Sequence, residues 1–154
     1  MKDIAKLSVY LDKFTNKVIE NVAKAQRETA KTIWEDVVQN APVDTGGYVS
    51  SIEVSPTVKE GNTTRTEIYT NATVSTLSGA TYNLGYLLEN GTSPHLIEPV
   101  NSNVLHFVVN GEDVFAKRVN HPGTVAQPHF KPALDKNVST YLENIDRAVK
   151  EAEK

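Results

Sequence analysis

The feature that most constrains this chain is its first forty residues, which contain no glycine or proline before Pro42. Apolar or small side chains recur there at steps of three and four, a spacing that places them on one face of a helix. At 1.5 Å per residue, a helix over residues 3–40 would be about 55 Å long, more than a small domain covers by itself. Either the helix is broken, or part of its apolar stripe packs on a neighbouring subunit. The stripe consists of Ile4, Leu7, Leu11, Phe14, Val18, Val22, Ala25, Ile33 and Val37, with Thr29 filling the one gap.

The section that follows Pro42 changes from a helical period to a period of two. Asp44 and Thr45 can accept turn hydrogen bonds, and Gly46 and Gly47 allow positive φ, so a turn is expected there. Alternation then predicts strands over residues 51–58 and 64–71, with a hairpin loop at 59–63. Pro56 places the first strand at an edge or a bulge.

The next section combines loop-like and strand-like patterns. Residues 71–81 are small and polar without a clear period, which predicts a loop, whereas residues 82–92 predict a short helix that ends at Gly91. A proline-bracketed connection is expected over 93–102. Two strands, 104–109 and 112–119, flank Asn110-Gly111, the strongest short-range signal for a type I′ turn.

A closing helix is expected from about Pro132 to the C-terminus, with its apolar stripe at Leu134, Val138, Leu142, Ile145 and Val149. The element order predicts an α+β fold with an antiparallel sheet of about four strands in two hairpins, and with helices packed on one face. We expect a single domain over 1–154, made of the long helix (1–40), the sheet and loops (41–130) and the C-terminal helix (131–154).

Composition excludes several classes of function. The chain has no cysteine, which excludes disulfides, thiolate zinc sites and a cysteine nucleophile. No apolar run approaches the roughly 20 residues of a membrane span, and the N-terminus lacks a signal-peptide pattern. Residues 41–130 hold four Lys/Arg against eight Asp/Glu, whereas a surface that binds duplex DNA is clustered and basic. Neither a membrane nor a nucleic acid is therefore an expected partner.

Residues 121–134, "HPGTVAQPHFKPAL", are the least ordinary stretch. Histidines suggest a metal site, and a small metal-dependent hydrolase that uses His95, His121 and His129 is one hypothesis. Their spacing offers no complete ligand set, although His95 and His121 both lie in proline-containing loops and could meet. Asp44-Thr45-Gly46 matches the aspartic protease triplet, but it follows a helix and Pro42 instead of lying between apolar strands, which favours a turn. A generic adaptor protein is a further alternative.

Three stretches in order resemble a known family: "APVDTGGYVSSI" (41–52), "YLLENGTSPH" (86–95) and "HPGTVAQPHFKPAL". Together they are similar to a small neck protein of tailed bacteriophages and prophages, variously labelled tail component, minor capsid, head–tail joining or tail-completion protein. His129 departs from the family pattern, because it displaces the expected aromatic after Pro128 to Phe130. The matching positions are Pro42, Asp44, Thr45, Gly46, Ser51 and Ile52 in the first stretch, Glu89, Gly91 and Thr92 in the second, and Gln127, Pro128, Pro132, Ala133 and Leu134 in the third.

This resemblance implies a non-enzymatic virion protein without cofactors, made in the bacterial host cytoplasm. It would form a ring at the neck, sixfold by resemblance, in contact with the head connector or stopper and with the tail terminator or tail-tube protein. The resemblance leaves open whether the isolated subunit is a monomer. An acidic middle section would let DNA slide through such a ring, because a basic lining would hold it. The predicted interface loop consists of His121, Pro122, Gly123, Thr124, Gln127, Pro128, His129, Phe130 and Pro132.

Overall fold

A computed structural model describes residues 2–76 and 78–154 of the chain. Its helices are α1 (Lys2–Asn40), α2 (Gly47–Ser50), α3 (Leu84–Asn90) and α4 (Phe130–Ala152). The strands are β1 (Ile52–Val54), β2 (Val58–Glu60), β3 (Thr63–Arg65), β4 (Ile68–Thr70), β5 (Thr73–Ser75), β6 (Thr81–Asn83), β7 (His95–Ile97), β8 (Leu105–Val109), β9 (Glu112–Ala116) and β10 (Val119–His121).

The strands of the described residues pair two by two, as β1–β4, β2–β3, β5–β6, β8–β9 and β7–β10. The predicted α+β class, with a long first helix, antiparallel hairpins, a short middle helix and a last helix, is confirmed. The strands are shorter and more numerous than expected, and they form separate ladders instead of one four-stranded sheet. Pro56 contributes to this, because the 51–58 strand is interrupted between β1 and β2.

Two compact units make up the chain. Unit 1 comprises Met1–Ala41, Ile52–Tyr69 and His129–Lys154, and unit 2 comprises Pro42–Ser51 and Thr70–Pro128. Unit 1 therefore contains α1, α4 and the four strands β1 to β4, except for the last residue of β4. Unit 2 contains the remaining strands and the helices α2 and α3. The single-domain organisation stays a prediction.

Helices α1 and α4 pack antiparallel in unit 1. Asn21 Nδ2 donates to Ala148 O at 3.1 Å, and Asn144 Nδ2 donates to Thr29 Oγ1, also at 3.1 Å. Further along, the Asp36 carboxylate accepts from two α4 side chains, Lys136 and Asn137. Small residues line much of this contact, because those buried on the two helices include Ala25, Thr29, Ala30, Ala133, Ala148 and Ala152.

The 39-residue α1 is continuous. The predicted helix is thus confirmed, and the alternative of a broken helix is wrong. The two helices run in opposite directions. The C-terminal end of α4, at Ala152, therefore lies near the position of Asn21 along α1. The preceding turns of α1 therefore extend about 25 Å beyond the end of α4. In that segment Ile4, Leu7 and Leu11 are 73%, 57% and 50% exposed.

The predicted apolar stripe of α4 is wrong as its buried face over the first part of the helix. Leu134, Val138 and Leu142 are exposed, Ile145 and Val149 are half-buried, and the helix buries Ala133, Asn137, Ala148 and Ala152. The reason is that α1 approaches closely along small side chains, and the larger aliphatic residues lie on an adjacent face. That face is uncovered within the described residues.

Two predicted irregular segments contain strands. Residues 71–81 were expected as a loop, but Thr73–Ser75 pairs with Thr81–Asn83 in an antiparallel hairpin; Leu77 lies outside the described residues. The 93–102 connection contains β7, which pairs with β10 from the far side of the β8–β9 hairpin. Both predictions are wrong because short strands of Thr, Ser and His carry no alternation of apolar and polar residues.

The β8–β9 hairpin confirms the prediction from Asn110-Gly111. Both residues have positive φ, 53° and 85°, as a type I′ turn requires. His106 lies on the exposed side of β8, as its alternation with Leu105 and Phe107 predicted. Its ring stacks on Phe115 and its Nε2 lies 2.7 Å from Asp113 Oδ1.

Candidate protein interface

The Asp-Thr-Gly segment is a turn in unit 2 that leads into α2. Gly46 has φ of 85°, which confirms the expected positive φ, and its carbonyl accepts from Ser50 N. Asp44 and Thr45 are exposed, and Pro42 is half-buried. The end of the first family stretch is anchored by a side-chain hydrogen bond between Ser51 Oγ and Thr70 Oγ1, 2.7 Å apart.

Tyr48 links the first stretch to the helix that carries the second. A Cβ at Gly85 would lie 2.5 Å from Thr70 Cγ2 and 3.1 Å from the Tyr48 hydroxyl, so glycine makes room for both side chains against α3. Burial of this phenol, together with the nearby Glu89 carboxylate, raises the pKa of Tyr48 to about 12. This packing against α3 is the structural role of Tyr48.

Helix α3 has caps at both ends. Asn83 Oδ1 accepts from Tyr86 N at 3.0 Å, which satisfies one of the free donors of the first turn. The helix ends, as predicted, at Gly91, which has φ of 69° and whose N–H donates to Leu87 O. These caps fix the direction in which the chain leaves towards Thr92.

The second and third family stretches are joined by backbone hydrogen bonds in unit 2. Thr92 and Thr124 exchange N–H···O bonds at 3.0 and 3.1 Å, and Thr92 Oγ1 also accepts from Thr124 N. Gln127 N donates to Leu88 O at 2.7 Å. The loop that follows β10 is therefore fastened at two points to the end of α3.

Glycines permit this close approach. A Cβ at Gly91 would overlap the carbonyl oxygen of Thr124, and one at Gly123 would overlap that of Thr92. Gly123 also has φ of 87°. Each of the two crossing segments thus carries a glycine where the other backbone passes.

His95 and His121 do meet. They are opposite each other in the β7–β10 ladder, and their ring centroids are 4.9 Å apart. His95 Nδ1 lies 2.9 Å from Ser93 O, and His121 Nδ1 accepts from Gly123 N at 3.1 Å. The backbone thus holds one nitrogen of each ring.

The third histidine of the metal-hydrolase hypothesis, His129, belongs to unit 1. It is fully buried at the start of α4, its ring 4.9 Å from that of Phe130. Over residues 2–76 and 78–154, no group of three or more His, Asp or Glu side chains is placed to hold a metal ion. The geometry gives this hypothesis no support.

The predicted interface loop is divided by the fold. Its central part, residues 124–128, is exposed, and Val125 is exposed to 84%. His121 and Gly123 are half-buried beside the crossing strands. His129, Phe130 and Pro132 belong instead to the beginning of α4 in unit 1. The exposed part of the predicted interface loop therefore contains fewer residues than the prediction included.

Sequence reasoning missed several residues that shape these surfaces. Val125 and the exposed aliphatic face of α4 were not singled out as surface, and Asp36 was not identified as the buried carboxylate between the helices. The sequence feature that could have identified Val125 as an exposed residue is its position between Pro122 and Pro128. Asp36 carried no comparable signal, because its partners are 100 and 101 residues away.

Comparison with known proteins gives one family. The model of the HK97 gp10-like family, described as a proposed bacteriophage tail component, matches residues 5–91. The match covers α1 from residue 5, the Asp-Thr-Gly turn and α3, and it ends at Gly91, before the third stretch. Neither curated proteins nor solved structures give a significant match. Among the described residues, no helix has the length and apolarity needed to cross a membrane. More than half of the chain matches the family model, including the first sequence stretch and the beginning of the second, and the chain belongs to the HK97 gp10-like family of phage tail components.

Proposed function

We propose that this protein is a non-enzymatic structural component of the phage neck, where it forms part of a tail-completion ring that joins the head to the tail. The family assignment supports a role in the tail. The observation that carries the finer proposal is the exposed loop 122–128, whose backbone is held by Thr92 and Leu88. A loop fixed before docking loses less conformational entropy when it binds a partner.

The exposed apolar surface of unit 1 supports assembly with other protein subunits. The first turns of α1 and one face of α4 expose large aliphatic side chains in unit 1. Contiguous surfaces of this kind mark interaction sites in soluble proteins. In the ring, we propose that neighbouring subunits cover these residues and that loop 122–128 meets the head connector or stopper, or the tail terminator or tube. Sixfold symmetry is part of this proposal by resemblance.

The acidic middle section suits the same role. Residues 41–130 carry twice as many negative as positive residues, with eight Asp/Glu against four Lys/Arg. A passage lined in this way would not retain DNA. A structure of the assembled ring tests this proposal: acidic residues on the outside, with Lys117 and Arg118 on the bore, would contradict it.

The joining role is tested with a virus that carries Val125→Asp. Val125 is 84% exposed, so the subunit should fold normally, whereas an aspartate at the centre of an apolar contact would be left desolvated. We expect filled heads and finished tails that remain separate in electron micrographs, and a loss of plaques.

A matched control is Val100→Asp, which changes another exposed valine (56%) outside loop 122–128 and outside the strands. This virus should join heads to tails normally. Normal plaque formation by the Val125→Asp virus, with the variant present in virions, would contradict the proposed interface.

A further inference from the structure

The first turns of α1 form an amphipathic helix without a partner in the described residues. We call residues 3–18 the α1 tip. Its stripe begins with Ile4, Leu7 and Leu11, which are all at least half exposed, and continues to Phe14 and Val18, which are half-buried. Residues 3–13 are exposed throughout, and the half-burial of Phe14 and Val18 begins near the level at which α4 ends.

The spacing of this stripe indicates the kind of partner. From Ile4 to Val18 the steps are 3, 4, 3 and 4, which is the heptad repeat of a coiled-coil seam. After Val18 the steps lengthen to 4, 3, 4, 4 and 4, the longer period of a helix that packs inside a globular unit. The heptad repeat is thus confined to the exposed tip, and it calls for another helix with the same repeat.

The exposed face of α4 is a poorer match. Leu134, Val138 and Leu142 are spaced by 4 and 4, so they drift out of register with a seam of period 3.5. The α1 tip of a second copy carries the required repeat by identity. In heptad terms, Ile4, Leu11 and Val18 are a positions, and Leu7 and Phe14 are d positions.

The charged residues beside the seam favour one relative orientation of the two paired helices. The flanking g positions are Asp3, Tyr10 and Lys17, and the flanking e positions are Ser8 and Thr15. In a parallel pair, g positions face e positions, and no opposite charges meet. In an antiparallel pair, g positions face each other, so Asp3 of each copy lies opposite Lys17 of the other and the two Tyr10 rings meet at the centre. Asp3 and Lys17 are exposed and form no ion pair within the described part of the chain.

We propose that the α1 tips of two copies pair as an antiparallel coiled coil. Its layers are Ile4 against Phe14 of the second copy and Leu7 against Leu11 of the second copy, each occurring twice by the two-fold symmetry. The tip is continuous with the packed half of α1, so the unfavourable nucleation of a short helix is already overcome. The contact is small, below about 1,200 Å², which makes the dimer reversible. This pairing describes the isolated protein and does not depend on the ring proposal, in which a neighbouring subunit covers the same residues.

Sedimentation velocity of the full-length protein over a range of concentrations tests the dimer. The wild type should shift from monomer to dimer in the micromolar range, and Leu7→Asp should weaken association at least about tenfold, because it buries a charge in the seam. Val9→Asp is the matched control: Val9 is 53% exposed but lies on the opposite side of the tip, and its dimerisation should match the wild type. A wild type that is monomeric throughout, or association that Val138→Asp removes and Leu7→Asp does not, would overturn the proposal.

The antiparallel orientation of the two α1 tips is tested by exchanging charged residues and by cross-linking. Asp3→Lys should weaken the dimer and the double change Asp3→Lys, Lys17→Asp should restore it, as antiparallel pairing requires. The chain has no cysteine, so oxidation of a Leu7→Cys and Leu11→Cys mixture should yield the mixed disulfide dimer, while Leu7→Cys alone should yield little. Efficient cross-linking of Leu7→Cys to itself would indicate a parallel pair and overturn the antiparallel one.

Discussion

At the scale of single residues, Asp36 is a buried charge between the two helices of unit 1. Its side chain is 12% exposed, and it accepts from Lys136 Nζ at 2.7 Å and from Asn137 Nδ2 at 2.6 Å. The hydrogen bond from Lys136, followed by that from Asn137, lowers the pKa of Asp36 from its ordinary value of 3.8. The carboxylate thus joins the first helix to the last in its ionised form.

This arrangement predicts an acid-sensitive contribution to folding. Because the folded-state pKa is lower than the unfolded one, the stabilisation is fully present above about pH 4 and is lost as the pH falls through the lowered pKa. Asp36→Asn should reduce the free energy of unfolding at neutral pH and flatten its decline towards about pH 3. Urea unfolding at several pH values measures both effects.

The control for this prediction is Asp135→Asn. Asp135 pairs with Lys131 in an exposed i, i+4 contact, which contributes little to stability. The free energy of unfolding of Asp135→Asn should depend on pH in the same way as that of the wild type. An Asp36→Asn profile that parallels the wild type would show that the interhelical carboxylate does not carry the acid sensitivity.

Two glycines with nearly the same backbone angle allow steric overlap to be separated from conformational strain. Gly111 and Gly123 have φ of 85° and 87°, but a Cβ at Gly111 meets nothing within 4 Å, whereas one at Gly123 overlaps the carbonyl of Thr92. Gly111→Ala should cost about 1–2 kcal/mol through strain alone. Gly123→Ala should cost clearly more, because the Thr92–Thr124 hydrogen bonds must also open.

Hydrogen exchange of the Thr92 and Thr124 amides distinguishes these variants. Both amides should exchange faster in Gly123→Ala and remain protected in Gly111→Ala. Equal destabilisation, with both amides protected in each variant, would mean that loop 122–128 is not fastened by this crossing.

At the scale of elements, α4 has two faces with opposite roles. The face of small residues contacts α1, and the face of large aliphatic residues is exposed. Ala148→Leu should destabilise the subunit by about 1–3 kcal/mol through overpacking, whereas Leu142→Ser, at a side chain 61% exposed, should change stability by less than about 0.5 kcal/mol. Denaturant unfolding at low protein concentration compares the two; the reverse order of effects would contradict the packing of α4.

Local signals predicted the elements whose cause lies within a few residues. Pro42 and the unbroken stripe predicted α1, Gly91 predicted the end of α3, and Asn110-Gly111 predicted its turn. The pairing of β7 with β10 depends on residues more than twenty positions apart, and the short β5–β6 strands carry no hydrophobic alternation. The orientation of α4 failed for a different reason: a stripe of large aliphatic residues indicates that a face will be covered, but not whether the same chain covers it.

The same distinction applies to the candidate interface. Sequence resemblance identified the three stretches, but only the folded chain shows that Thr92 and Thr124 exchange hydrogen bonds and that His129 is buried. Backbone pairing between distant loops has no side-chain signature other than the glycines that make room for it. The accessible centre of the loop, around Val125, follows from that pairing.

At the scale of the whole molecule, the antiparallel contact of α1 with α4 joins the two ends of the chain. Ribosomes add about 5–20 residues per second, so α1 is complete many seconds before the residues of α4 exist. During that interval the groups that α4 will cover, Asp36 and the small residues around Ala25 and Ala30, have no partner from α4. Synthesis order therefore makes the last helix the step that closes unit 1, and a premature stop before α4 should release a nascent chain that depends on chaperones.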